Sequence, residues 1–207
     1  MRSHREPAPG QRQRDAERTK RLILRAALTE FSRAGFKGAR VAAIAARAGV
    51  NTQLISYYFG GKQGLHDAIH TTWLQAETQI TAPDQPFGEV VADYVPLDDE
   101  RRDFVRLLAM ENLQGGDAKE REGMRHALAD LERRQRDGEI AADLDPACLL
   151  LALVAAAGAP AVYSSVMRAV AGDEVSEDQF ARHYAAQLTR IVERLGPRPG
   201  DETGTAT

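Results

Sequence analysis

Residues 41–62, VAAIAARAGVNTQLISYYFGGK, constrain this chain more than any other stretch. They read as two short helices joined by a tight turn. Ala45 is small enough to let a second helix cross close above it. Gly49 can take the positive φ that such a turn demands, where a side chain would clash. Ile44, Ala48, Val50 and Ile55 are apolar and placed to pack the two helices together. Thr52, Gln53, Ser56 and Tyr57 then share one face of the second helix, at i, i+1, i+4 and i+5. That face is polar and aromatic and carries no acid, which suits a helix that reads bases in a DNA major groove.

Charge is divided along the chain in the same sense. The formal net charge is −3, yet residues 1–62 hold 13 Lys and Arg against 4 Asp and Glu, a net +9. Residues 63–207 hold 14 against 26, a net −12. A basic third beside an acidic remainder fits a polyanion binder joined to a body that does not bind the polyanion. The length of 207 residues accommodates one small and one medium domain, and 43% hydrophobic residues permit a real core. Cys148 is the only cysteine, so no internal disulfide can form. A buried structural thiol in a reducing, cytoplasmic setting is the expectation. The start, MRSHREPAPGQRQR, is basic with no apolar run after it, so no signal peptide is expected. Between Asp145 and Arg168 lie 22 uncharged residues, PACLLLALVAAAGAPAVYSSVM, long enough to span a bilayer. The stretch is rich in alanine, Gly158 and Pro160 interrupt its middle, and no basic cluster precedes it. A buried core or dimer helix is expected, and no membrane partner.

Taken in order, the chain reads as all-α. Residues 1–14 form a disordered basic tail in which Arg12 and Arg14 serve either as an arm on DNA or as plain solvated charge. A helix-turn-helix domain of three helices covers 15–61. Its first helix, 15–34, is capped by Asp15, ended by Gly35, and carries the apolar stripe Leu24, Ala27, Leu28 and Phe31. The second covers 41–48, and the third 52–58 with Asn51 as N-cap. A second helical domain covers 62–196. Its helices are expected at 62–80, 87–95, 99–114, 118–137, 146–170 and 176–195, with a loop over 81–86. Asp145-Pro146 is a cap followed by a first-turn proline, and Pro160 should kink the long apolar helix. Phe180, Tyr184, Leu188, Ile191 and Leu195 mark one stripe on the last. Residues 197–207 form a disordered tail, and no strand pattern or repeat appears.

The stretch from Thr19 to about Ile69 resembles the DNA-binding domain of the TetR family of repressors. The residues that carry the resemblance are Ile23, Leu24, Ala26, Ala27, Phe31 and Gly35, then Ile44-Ala45, Ala48-Gly49-Val50, Ile55, Tyr57-Tyr58-Phe59, Lys62 and Leu65. They cover about a quarter of the chain, and the remainder matches in helical layout alone. The resemblance implies that 62–196 is a ligand-binding and dimerisation domain. It implies a homodimer on a pseudo-palindromic operator, released when a small molecule binds the C-terminal body. Arg40, Val41, Asn51, Thr52, Gln53, Ser56, Tyr57, Tyr58 and Lys62 are the expected DNA contacts. Two departures stand out. Arg40 replaces a Ser or Thr whose hydroxyl would cap the second helix, and it can meet phosphate only as a cation. Ser56 replaces a third tyrosine, so base preference cannot be carried over. Gln53 can pair bidentately with adenine, while Thr52 or Tyr57 can meet a thymine methyl.

The rest of the chain offers little chemistry. No phosphate-binding glycine loop, nucleophile elbow or metal spacing occurs, and no cofactor and no catalytic residue is expected. His66 and His70 stand at i, i+4, a spacing that can serve a metal but belongs more often to surface or pocket residues. Glu111-Asn112, in the apolar run LLAMENL, read either as a salt-bridged core acid or as hydrogen-bonding groups for a ligand, the structural reading being favoured. The LISYYFGGK and LLAMENL pairing is similar to a TetR branch that includes pyrimidine-responsive regulators. His66, His70, Trp73, Met110, Glu111, Asn112, Tyr163 and Met167 are candidate pocket walls because they mix apolar bulk with a few polar groups. A helical enzyme using Glu111 or His70, and an adaptor binding RNA or an acidic protein, are the rivals from other classes. Repressor versus activator stays open.

Overall fold

A computed structural model describes residues 9–77, 85–115, 118–172 and 174–196. The chain divides into two compact units, Met1–Glu77 and Thr78–Thr207. The division falls at the end of the fourth helix, later than the expected boundary at 61/62, because that helix packs on the first and third. Helices α1 (Pro9–Gly38), α2 (Val41–Ala48), α3 (Thr52–Phe59) and α4 (Lys62–Glu77) build the N-terminal unit. Ile23, Ala27 and Phe31 of α1 meet Ile44 of α2, Ile55 of α3 and Leu65 of α4 in its core, all wholly or almost wholly buried.

The first helix begins at Pro9, not at Asp15. Proline suits a first helical position, and the Gln, Arg, Ala and Glu that follow are strong helix formers. Asp15 therefore lies inside the helix, where its carbonyl accepts the Thr19 hydroxyl at 2.8 Å. Gly35 (φ 65°, ψ 171°) interrupts α1, but a further helical turn follows it. The interruption sets Phe36 against Phe31, ring centroids 5.9 Å apart. Residues 1–8 of the tail expected at 1–14, the tail expected at 197–207, and residues 78–84 lie outside the described residues.

The C-terminal unit contains α5 (Phe87–Asp93), α6 (Asp99–Asn112), α7 (Ala118–Arg136), α8 (Pro146–Val162), α9 (Ser164–Ala171) and α10 (Glu177–Val192), closed by a 3-10 turn at Glu193–Leu195. Side chains cap three of them. Asp98 accepts from the Arg101 N–H at 2.8 Å, Asp145 accepts from the Cys148 N–H at 2.8 Å, and Ser176 with Gln179 forms a capping box. Val91 and Val95 pack with Ala157, Ala185, Leu188 and Val192 at the centre. Two arginines are nearly fully buried. Arg102 joins Asp99 at 2.7 Å and Asp178 at 2.8 Å, tying the start of α6 to the start of α10. Arg134 joins Asp130 at 2.8 Å and Glu139 at 2.7 Å, donates to the Gln85 carbonyl at 3.2 Å and lies over the Phe87 ring. Burial alone would raise the Asp130 carboxyl pKa, but hydrogen bonds from Arg134 and Arg133 outweigh it and hold the pKa below its ordinary value.

Three expectations for this unit are corrected. The long apolar helix breaks at Tyr163 (φ −107°, ψ 43°), not at Pro160, and α8 and α9 meet at a bend of 78°. Pro160 stays helical because its cost is met elsewhere. It has no N–H for the Ala156 carbonyl, and the Tyr184 hydroxyl of α10 donates to that carbonyl at 2.8 Å instead. Next to the break, the Ala161 carbonyl accepts from Arg106 Nε of α6 at 3.0 Å. The buried stripe of α10 is Ala181, Ala185, Leu188 and Val192, whereas Ile191 is exposed. Cys148 is exposed in the first turn of α8, not buried, and the Asp145 carboxylate beside it raises its thiol pKa. No single helix among the described residues is long and apolar enough to cross a membrane. The bent pair α8 and α9 passes that test only when taken together.

The tyrosine at the kink generates a specific expectation. Burial raises the Tyr184 phenol pKa, so the hydroxyl remains a donor. Tyr184→Phe leaves the Ala156 carbonyl without its donor and should cost about 1 kcal/mol in urea unfolding. Pro160→Ala restores an N–H to that carbonyl, so the double variant should recover most of the loss. Equal losses from Tyr184→Phe with Pro160 or with Ala at 160 would contradict this account.

Candidate DNA-reading face on the third helix

The turn between α2 and α3 is built as the sequence requires. Gly49 takes φ 68°, ψ 32°. Its N–H bonds the Ala46 carbonyl at 3.3 Å, and the Val50 N–H bonds Ala45 at 3.0 Å, the pair of reversed bonds that closes a helix at a left-handed residue. Asn51 then starts α3 in extended conformation, its side-chain oxygen accepting the Leu54 N–H at 3.0 Å. Gly60 (φ 70°) ends α3, with its N–H on the Ser56 carbonyl at 2.9 Å, and Gly61 (φ 105°) leads into α4. Both positions lie in the left-handed region, where a side chain would be strained.

Ile55 points inward with no exposure, which turns Thr52, Gln53, Ser56 and Tyr57 outward together. All four are exposed, and Tyr57 most of all at 79%. The Ser56 hydroxyl makes a long 3.5 Å bond back to the Thr52 carbonyl. Tyr58 is half-buried and stands behind Tyr57, with ring centroids 5.0 Å apart at 70°. Lys20 of α1 lies over Tyr58, its ammonium 5.7 Å from the ring centroid. Nothing in the spacing links residue 20 to residue 58, so this support was not legible from the sequence. Arg40 is exposed in extended conformation before α2 and makes no side-chain cap, as its chemistry implied, and Val41 is half-buried.

Lys62 is placed differently from the other expected contacts. It is half-buried, donates to the Lys37 carbonyl at 3.2 Å, and stands 4.8 Å from the centroid of Phe36. It thus fastens the start of α4 to the last turn of α1. Further along α4, His66 meets Phe36 edge-on at 5.0 Å and His70 at 4.6 Å, while Trp73 is half-buried. Two imidazoles at helical spacing can offer two ligand atoms to a metal.

The other pocket candidates belong to the C-terminal unit. Met167 is buried, and Met110 and Glu111 are half-buried. Asn112 is exposed and its amide donates to the Leu108 carbonyl of its own helix at 3.1 Å. Tyr163 is 57% exposed, at the bend between α8 and α9. Within this unit the structure buries Met167 deeply and leaves Asn112 and Tyr163 at the surface.

Comparison with known proteins gives a consistent result. Residues 23–69 match the family model described as bacterial regulatory proteins, tetR family. Residues 91–194 match the tetracyclin repressor-like C-terminal domain. The chain is 31% identical to the HTH-type transcriptional repressor SCO4008 of Streptomyces coelicolor over 193 residues, 87% of this chain and 98% of the relative. It is 30% identical to the HTH-type transcriptional regulator RutR of Escherichia coli K12, covering 91% of this chain and 96% of that one. With the HTH-type transcriptional repressor NicS of Pseudomonas putida it shares 36% identity, over 52% of this chain and 54% of the relative. The crystal structure of SCO4942 from Streptomyces coelicolor superposes with a TM-score of 0.70 at 26% identity, covering 87% of this chain and 99% of that chain. Both family models, and relatives matched along nearly their whole length, agree with the helix-turn-helix geometry: the chain belongs to the TetR family of DNA-binding transcriptional regulators.

Proposed function

We propose that this protein is a repressor that binds a pseudo-palindromic DNA operator as a homodimer and lets go when a small molecule binds its C-terminal unit. The observation that carries the reading is the outward face of α3. Thr52, Gln53, Ser56 and Tyr57 project together, without an acid, from a helix fixed at both ends. Two of the relatives named above are repressors by name, which supports that sign of regulation. In this reading Gln53 and Tyr57 contact base edges, Arg40 and Asn51 approach the backbone, and Tyr58 braces Tyr57. Lys62 sets the angle of α4 as well as presenting its charge.

The second copy belongs on α8. Cys148, Leu151, Ala152, Val154 and Ala155 are exposed on its first turns, Leu151 at 72%. A two-fold pair that reads successive turns of DNA needs its reading helices roughly 35 Å apart. Leu188, on the stripe read for the last helix, is 4% exposed and packs inside its own chain. For the effector, the proposed contacts within the C-terminal unit are Met110, Glu111 and Met167. The only tryptophan, Trp73, lies on α4, the last helix before the chain enters that unit.

Three outcomes are expected. Gln53→Ala or Tyr57→Ala should lose on the order of 1–3 kcal/mol for a selected operator duplex and relax base choice in a competition assay. Operator binding like the parent's would refute the face assignment. Leu151→Arg should sediment as a monomer and bind the operator much more weakly, whereas a parent that is already monomeric at micromolar concentration would remove the dimer. An effector that releases the duplex should change Trp73 emission over the same concentration range. By reciprocity, it should bind the DNA complex more weakly by the factor through which it weakens DNA. Release with unchanged emission and unchanged hydrogen exchange along α4 would show that α4 is not the moving element.

A further inference from the structure

The first helix has two halves with different surroundings. From Ile23 to Phe31 it supplies core, with Ile23, Ala26, Ala27, Leu28 and Phe31 buried. Over residues 13–22 no side chain is buried. Arg14, Arg18 and Arg21 stand on this half at i, i+4 and i+7, a spacing that stacks them along one face, and all three are exposed. Among the described residues, no hydrogen bond or ion pair engages any of the three. Glu17, the acid nearest to them in sequence on that side, is taken by the Lys20 ammonium at 2.9 Å. Gln13, Arg14, Glu17 and Arg21 line an open groove. Over residues 13–25 there are five cations against two acids.

The same half of α1 is tied to the reading helix. Lys20 lies over Tyr58, and Tyr58 packs edge-on against Tyr57. From that point α1 runs back six residues to Arg14. At about 1.5 Å per residue that is roughly 9 Å. The distance corresponds to about two or three base pairs of duplex at 3.4 Å each. Guanidinium forks match phosphate oxygens better than any other cationic side chain. Residues 9–22 contain no aromatic ring on which unpaired bases could stack, and only Leu22 as an exposed large apolar group. A duplex backbone therefore fits this surface better than a single strand or a protein hot spot.

We propose that Arg14, Arg18 and Arg21 form a phosphate clamp on the duplex flanking the operator bases that α3 reads. The proposal rests on the DNA-binding reading above and adds a contact that carries no base information. It makes affinity, but not base choice, depend on DNA beyond the core site.

The test uses the full chain and a duplex of about 40 bp that it selects from a random pool, with the same duplex trimmed to a core of about 20 bp spanning two half-sites. Arg14→Gln/Arg18→Gln/Arg21→Gln should weaken binding to the long duplex and leave binding to the core and base preference as in the parent. Each phosphate contact contributes about 0.9 to the slope of log affinity against log salt, so three should lower it by roughly 2.7 per chain. Between 50 and 200 mM salt the parent should then lose roughly 40-fold more affinity than the variant, per chain bound. The matching Arg→Lys triple should keep most of the slope, because it keeps the charge. A parent-like slope in the Gln triple would overturn the clamp and assign the stripe to some other acidic surface. A loss equal on long and trimmed duplexes, not rescued by lysine, would overturn it in favour of a role in holding α1. A parent that selects no duplex at all would remove the DNA reading and this surface with it.

Discussion

The reading helix is held at its far end by a contact between backbones. A Cβ built on Gly64 would lie 1.6 Å from the Phe59 carbonyl oxygen, a separation no side chain permits. Helix α4 therefore starts against the last residue of α3 with nothing between them. Gly60 and Gly61 turn the chain through two left-handed conformations to reach that approach. Lys62 then fastens the same turn to the Lys37 carbonyl, on the far side of the Gly35 interruption. With the C-terminal end so fixed, the buried Ile55 leaves one rotation for α3, and that rotation decides which four side chains face outward. The outward face is thus a consequence of a junction that contains none of its residues.

The C-terminal unit solves a related problem by other means. An apolar helix with a proline near its end, followed by a sharp bend, leaves backbone carbonyls without their usual donors. Here two of the carbonyls in this region are met by side chains from neighbouring helices, Ala156 by Tyr184 of α10 and Ala161 by Arg106 of α6. The irregularities of α8 thereby become its attachments. Arg102 and Arg134 act in the same spirit at the helix ends, each surrounded by more than one oxygen acceptor, so that burial of the charge is compensated.

The helix-turn-helix was legible because its determinants are local. A small residue, a glycine, an asparagine cap and a buried isoleucine sit at fixed spacings, and each acts within a few residues of itself. The outer faces of α8 and α10 were less legible. A stripe drawn through the large residues of α10 included Ile191, which is exposed, and passed over Ala181 and Ala185, which are buried. Alanine marks burial weakly in a sequence, although it is what lets helices approach closely. Arg134 sits in RRQR, and besides the local Asp130 and Glu139 it is drawn inward by Gln85 and Phe87, partners far off in sequence. The extension of α1 back to Pro9 was missed because a charged, proline-bearing start looks like a tail. Lys62 looked like a phosphate contact alone, since its partners at residues 36 and 37 lie across a break that sequence does not announce. The pocket candidates were chosen by residue type, and type does not tell Met167, which is buried, from Tyr163, which is not.

The pairing of Tyr57 with Tyr58 has a consequence for how a binding free energy is composed. An exposed tyrosine on a lone helix would give up rotational freedom on contact with a base, and that entropy loss would be subtracted from every complex, right or wrong. Tyr57 already has a ring against it at 5.0 Å, itself flanked by the Lys20 ammonium. Part of the ordering has been settled during folding, at the expense of the stability of the unit and not of the complex. In the proposed reading, the ring meets a correct and an incorrect base from nearly the same orientation. Discrimination falls to the shape of the bases, with less contribution from a side chain that can adapt to each.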